Sequence, residues 1–97
     1  MVISLTRSRV TPKQAQQVEE FLQGFLPKVK GEPGVVAIYH FYRPDPGEST
    51  TLIVWETEEA RQAYRQSALI EEAVAFERKL GLASIREAYP LTYATPG

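Results

Sequence analysis

The sequence VVAIYHFY, at residues 35–42, predicts a β-strand more clearly than any other part of the chain. Six of these eight residues are β-branched or aromatic, which are the side chains that fit a pleated sheet. Residues 43–49 contain Pro-Asp-Pro-Gly and predict a turn, and residues 50–56 predict a second strand. The two strands are therefore expected to form an antiparallel hairpin.

The segment before this hairpin predicts a strand followed by a helix. In residues 1–10 apolar and polar side chains alternate, as they do in a strand with unlike faces. Thr11 is a good helix N-cap, and Pro12 suits the first helical position because its missing N–H would have no partner there. We expect this helix to end at Pro27.

The segment after the hairpin predicts helices and a last strand. Thr57 caps a short helix that runs to Ser67, and residues 68–80 continue with apolar residues at helical spacing. Residues 82–91 predict the final strand, and residues 92–97 predict a loose tail.

The resulting order, β-α-β-β-α-β with one extra helical segment, predicts an α+β fold of the ferredoxin-like type over residues 1–97. In this fold one antiparallel sheet carries the helices on one face, with the first and third strands at its centre. Residues 35–42 are apolar on both faces, so the face without helices needs another cover. A second copy of the sheet would provide it, which predicts a homodimer; the alternative is a monomer with several exposed aromatic side chains.

Composition narrows the function. Lys and Arg number 11 and Asp and Glu number 12, for a net charge of −1, so the chain lacks the basic character of a nucleic-acid binder. It has no cysteine and a single histidine, which argues against a metal site. No segment is apolar for long enough to span a membrane, and no secretory signal is visible, so we expect a cytoplasmic protein without a membrane partner.

Three single residues could carry chemistry, and each also has a structural explanation. His40 could move a proton, or it could face inward with its nitrogens satisfied by the backbone. Trp55, at a strand end, could form the wall of an aromatic ligand pocket or fill the core. Arg86, within the last predicted strand, could face the barrel interior, the dimer interface or solvent.

The segment Ile53-Val54-Trp55-Glu56-Thr57-Glu58-Glu59-Ala60 resembles the strand-end tryptophan and acidic helix start of the antibiotic-biosynthesis monooxygenase family. The order of strands and helices resembles that family's dimeric α/β barrel over nearly the whole chain. The resemblance implies a homodimer with a small cleft between sheet and helices in each subunit. It also implies cofactor-independent oxidation of an aromatic molecule, as in some members, or haem degradation, as in others.

The resemblance also implies site residues. Trp55 matches the family tryptophan, and Tyr64 lies where many members have a helix histidine, here in Tyr64-Arg65-Gln66-Ser67. The candidate catalytic residues are His40 and Tyr64, and no cofactor is expected. The candidate ligand-binding residues are Trp55, Tyr64, His40, Tyr42 and Arg86. The chain lacks the first-strand asparagine of active members, which argues against haem degradation and favours the alternative function, a non-catalytic dimeric barrel with a sensing, stress-response or assembly role.

Overall fold

A computed structural model describes residues 1–95 as four strands and three helices. The elements, in chain order, are β1 (Val2–Arg9), α1 (Pro12–Lys30), β2 (Val35–Arg43), β3 (Glu48–Trp55), α2 (Glu58–Arg65), α3 (Ala68–Leu80) and β4 (Ser84–Pro90). The strands form one antiparallel sheet in the order β2-β3-β1-β4, so β1 and β3 are central. This arrangement confirms the predicted ferredoxin-like α+β fold.

All three helices pack on the sheet face that carries Ile53 and Trp55. Phe25 of α1, Tyr64 of α2 and Ala73 of α3 meet these two strand residues in one buried cluster. Trp55 is fully buried, and its indole N–H donates a 3.0 Å hydrogen bond to the hydroxyl of Ser4 on β1. The cluster therefore joins each helix to the centre of the sheet.

The first helix is longer than the sequence predicts. It begins as expected, with a capping box between Thr11 and Gln14, but it continues through Pro27 to Lys30. Proline leaves the carbonyl four residues earlier, that of Gln23, without its helical donor. Both residues are exposed, so water can satisfy that carbonyl, while Val29 in the next turn is fully buried and stabilises the extension.

The hairpin turn is shorter than predicted, because both strands extend toward it. Arg43, the last residue of β2, pairs in register with Glu48, the first residue of β3, and their side chains form an ion pair of 3.6 Å. Within the turn, the N–H of Gly47 donates to the carbonyl of Arg43 at 3.0 Å. Residues 44–47 are thus sufficient to reverse the chain.

A bulge between Val35 and Ala37 changes which sheet face the side chains at the start of β2 point to. Strict alternation would place Val35 and Ala37 on one face. Instead Val35 lies opposite Trp55 and packs on the buried cluster, while Val36 is exposed. One extra residue in a strand has this effect because two residues then oppose a single partner residue.

Close approach of two chain segments positions α2 over the sheet. Gly34 has φ of +84°, and a Cβ atom built on it would lie 2.5 Å from Cβ of Ala60 in α2. Its carbonyl accepts a 2.8 Å hydrogen bond from the N–H of Glu56. Only glycine combines this backbone conformation with the required space, so Gly34 fixes where α2 crosses β2.

The C-terminal part differs from the predicted bounds by a few residues. The short helix ends at Arg65 instead of Ser67, and the last strand covers 84–90 instead of 82–91. Residues 91–95 belong to no helix or strand, and the final part of the predicted tail, 96–97, lies outside the described residues. Across 1–95, no helix combines the length and apolar character needed to cross a membrane.

Candidate functional site

The sheet face beneath the helices carries an unexpected row of polar side chains. Ser4, Thr6 and Ser8 of β1 share this face with Ile53 and Trp55, because residues two apart point the same way. They pair in register with Ile53, Thr51 and Ser49 of β3. A sheet face covered by helices is normally apolar, so hydroxyl groups in this position indicate a cleft instead of a continuous core.

A cleft lies between these hydroxyl groups and the helices. The cavity that it encloses has a volume of about 90 Å³ and opens to solvent at its mouth. Its opposite wall is aromatic: the ring of Phe21 stacks on those of Phe25, at 4.9 Å between centroids, and Phe76, at 4.0 Å. The cleft therefore combines a polar floor with an aromatic wall opposite to it.

His40 of β2 lines the cleft beside Thr51. Its Nδ1 atom lies 3.1 Å from the hydroxyl of Thr51, whereas Nε2 is buried and has no hydrogen-bond partner among residues 1–95. Burial lowers the pKa of the imidazole, and the charge of Glu19 together with a hydrogen bond to the backbone of Thr50 opposes this effect. The ring is therefore neutral at pH 7 and can accept a proton.

Tyr64 of α2 lines the cleft from the helix side. Its ring lies 5.3 Å from that of Trp55, centroid to centroid, and burial raises the pKa of its phenol to about 12. The phenol therefore stays protonated at neutral pH and can donate a hydrogen bond to a ligand oxygen.

Arg86 of β4 faces the cleft, which decides among the three orientations that its sequence position allows. Its two terminal nitrogens donate to the two carboxylate oxygens of Glu77 on α3, at 2.9 and 2.7 Å. Such a bidentate pair holds the guanidinium in one orientation. The β4 edge of the cleft is therefore a fixed polar wall.

The structure brings His40, Tyr64 and Arg86 together at the cleft but places the other two candidate ligand-binding residues elsewhere. Trp55 lies behind Ser4 and Tyr64, because Ser4 accepts the hydrogen bond of its indole and the ring of Tyr64, in the last turn of α2, packs against it. Tyr42 packs on a second apolar cluster around Val10. Neither side chain lines the cleft.

Sequence reasoning missed the aromatic wall and the hydroxyl floor. Phe21 and Phe25 are four positions apart on α1, a spacing typical of the buried face of any helix, so it does not distinguish a cleft wall from the core. The alternation of serine and threonine with apolar residues on β1 was visible, but nothing in it shows which face the helices cover. Pairing with the hydroxyl groups of β3 is the signal that could have found the floor.

The chemistry of the cleft is that of acid–base and hydrogen-bonding groups. No cluster of three or more histidine, aspartate, glutamate or cysteine side chains suited to a metal ion occurs in the described part of the chain. One neutral imidazole, one protonated phenol and several hydroxyl groups can orient a ligand and accept a proton from it.

Comparison with known families gives one match, to the model described as antibiotic biosynthesis monooxygenase, over residues 1–75. No curated protein sequence matches the chain.

Several solved structures share the fold. A Deinococcus radiodurans protein described as a candidate antibiotic biosynthesis monooxygenase has a TM-score of 0.87 at 17% identity, over 99% of this chain and 97% of its own. A variant of SnoaB, a cofactor-independent oxygenase from Streptomyces nogalater, gives 0.70 at 22% identity, over 99% and 97%. A variant of MhuD with two manganese protoporphyrin IX molecules per active site gives 0.77 at 16% identity, over 100% of both chains.

Proposed function

Because the chain belongs to the antibiotic biosynthesis monooxygenase family, we propose that its cleft binds a small aromatic molecule and oxidises it with molecular oxygen, without a cofactor. The observation that carries the proposal is a neutral histidine, His40, on a polar floor that faces an aromatic wall. Aromatic rings can pack against this wall, and oxygen substituents can hydrogen-bond to the hydroxyl groups of the floor.

An anthrone, a fused-ring ketone with an acidic ring methylene, is the simplest substrate with these properties. Nε2 of His40 takes one methylene proton, and the resulting carbanion gives electrons to O2. The new C–O bond forms a hydroperoxide on the same carbon. The peroxide takes back the proton held by His40. Loss of the second methylene proton and of hydroxide, which together make one water, then breaks the O–O bond and leaves a second ketone. One anthrone and one O2 thus become one anthraquinone and one water.

Tyr64 has the complementary role in this proposal. Since its pKa is raised to about 12, its phenol remains a donor and can hydrogen-bond to the ketone oxygen on which negative charge develops. His40 stays neutral and ready to accept a proton because burial lowers its pKa. The two side chains therefore divide the acid and base roles.

One observation favours the second candidate function, binding without reaction in a sensing or assembly role. Nε2 of His40 is buried in this structure, so the ring must turn toward the ligand before it can take a proton. Without that movement the cleft would bind aromatic molecules and leave them unchanged.

Oxygen uptake with anthrone as the probe, followed together with quinone absorbance, separates these functions. We expect the wild type to consume O2 and form quinone in equal amounts. His40→Gln should lose about 100-fold in rate, since general base catalysis contributes on this scale. The matched control is Tyr42→Phe, a residue outside the cleft lining, which should keep the wild-type rate.

Quenching of the single tryptophan reports on binding independently of reaction, because Trp55 lies 5.3 Å from Tyr64 at the cleft. Quenching by anthrone without oxygen uptake would favour the non-catalytic function. Absence of both would contradict the proposed site altogether.

We also propose that two copies of the chain associate through the sheet face without helices. Four aromatic or aliphatic side chains on that face are exposed in the single chain: Tyr39, Phe41, Ile85 and Tyr89. A second sheet packed against them would remove this apolar surface from water.

A further inference from the structure

Ion pairs account for nearly all the charge at the β4 side of the cleft. Two pairs contribute side chains to its lining, Arg61–Glu58 and Arg86–Glu77. Arg65, which also lines the cleft, has no carboxylate within 4 Å among the residues 1–95. It is therefore the one lining guanidinium whose charge no side chain of the described part neutralises.

The sheet register shows where this charge lies relative to His40. A row of paired residues, His40, Thr51, Thr6 and Arg86, crosses the four strands on the face of the cleft. Adjacent strands lie about 4.8 Å apart, so the two ends of the row are about 14 Å apart. Arg65 lies at the Arg86 end, since both arginines also line a neighbouring groove along α3.

We propose that Arg65 binds a carboxylate carried by the aromatic ligand, at the end of the cleft opposite His40. This inference rests on the proposed ligand-binding function and narrows the ligand to an aromatic acid. A planar guanidinium matches a carboxylate with two parallel hydrogen bonds, and its long stem can reach over the cleft mouth. Glu77 does not repel the ligand strongly, because Arg86 engages both of its oxygens.

Position on α2 gives Arg65 another role that a test must separate. It occupies the last turn of the helix, where a positive charge is stabilising by itself. Removing it would then lower stability slightly without changing ligand preference. Discrimination between an acid and its neutral analogue is therefore the decisive measurement.

Two anthraquinones provide that measurement, since they differ at one substituent: rhein carries a carboxylate where aloe-emodin carries a hydroxymethyl group. Titration followed by Trp55 quenching should give about fivefold tighter binding of rhein to the wild type, as expected for a partly exposed ion pair. Arg65→Gln should lose this preference while binding aloe-emodin as before. Higher ionic strength should shrink the preference in the wild type.

Arg78→Gln is the matched control, because Arg78 lines only the neighbouring groove and should leave the preference unchanged. Equal wild-type affinity for the two compounds would overturn the inference and leave the proposed function standing. A preference that survives in Arg65→Gln would overturn it too. Failure of both compounds to bind a folded wild type, checked by circular dichroism, would instead contradict the proposed function.

Discussion

In an ordinary soluble domain the sheet face beneath the helices is apolar and the other face is polar. In this protein the polarity of the two faces is reversed. The face beneath the helices carries hydroxyl groups from Ser4, Thr6 and Thr51, which line a cleft. The face without helices carries apolar side chains beside the Arg7–Glu87 ion pair, among them Tyr39 at 60% and Phe41 at 47% exposure. Burying apolar area is the main favourable term in folding, so this distribution lowers the stability of an isolated chain.

The difference indicates that each face serves a separate contact. Polar groups under a roof of helices remain stable when they reach hydrogen-bond partners, and a ligand with oxygen substituents supplies such partners. Apolar groups on an open sheet are stable when another surface covers them. The inner face is thus suited to a small molecule and the outer face to a second protein surface.

The largest effect on stability is expected at Trp55, where the inner face of the sheet is packed against the helices instead of lining the cleft. Trp55→Ala should lower the free energy of unfolding by about 3–5 kcal/mol, because it removes a fully buried indole. Urea unfolding followed by circular dichroism measures the loss.

Trp55→Phe is the matched control, since it keeps one aromatic ring and removes the hydrogen bond to Ser4 and the volume of the second ring. It should cost clearly less than alanine. An alanine variant within about 1 kcal/mol of the wild type would place Trp55 outside the core and contradict the division of this face into a packed and an open part.

The second largest effect, on dimer formation, is expected at the outer face, which is the sheet face without helices. Phe41→Glu should convert a homodimer into a folded monomer, because burying an unpaired carboxylate in an interface costs several kcal/mol. Light scattering at micromolar concentration should show twice the chain mass for the wild type and one chain mass for the variant.

Gln16→Glu, on the exposed side of α1, introduces the same charge away from the sheet and should stay dimeric. A wild type that scatters as a monomer would mean that the apolar outer face is simply exposed.

The smallest expected effect is the dependence of stability on pH. Because burial lowers the pKa of His40, the unfolded chain binds a proton more readily than the folded one below the ordinary histidine value of 6.5. The free energy of unfolding therefore falls as the pH drops below 6.5. Above 6.5 the ring is neutral in both states, and this group no longer lowers stability. The effect is modest, since the ring is only half-buried.

The stability difference between the wild type and His40→Gln, measured by urea unfolding across this range, isolates the contribution from that of the carboxylates. A difference independent of pH would show that His40 has an ordinary pKa. If His40 is the base, the rate of anthrone oxidation should also reach its plateau by pH 7, whereas a rate still rising above pH 7 would identify another group.

Sequence patterns gave the element order because each pattern is local. The β-branched run at 35–42 and the caps at Thr11 and Thr57 act on their own neighbours and lie where expected, and the turn at 44–47 falls within the predicted 43–49. The helix end predicted at Pro27 was wrong. The free-energy cost of a proline within a helix depends on whether water reaches the freed carbonyl and on which residues the next turn buries. Both depend on parts of the chain distant in sequence.

The chain by itself determined the ferredoxin-like order, the central place of β1 and β3, and His40, Tyr64 and Arg86 as candidates for one site. Only the tertiary structure decided that the polar side of β1 lies under the helices and forms the floor of the cleft that the family resemblance implied. It also decided that Trp55 lies behind the wall, with Phe21 and Phe76 in its place. The reason is physical: alternation in a strand defines two faces, and only the packing of distant helices selects which face is covered.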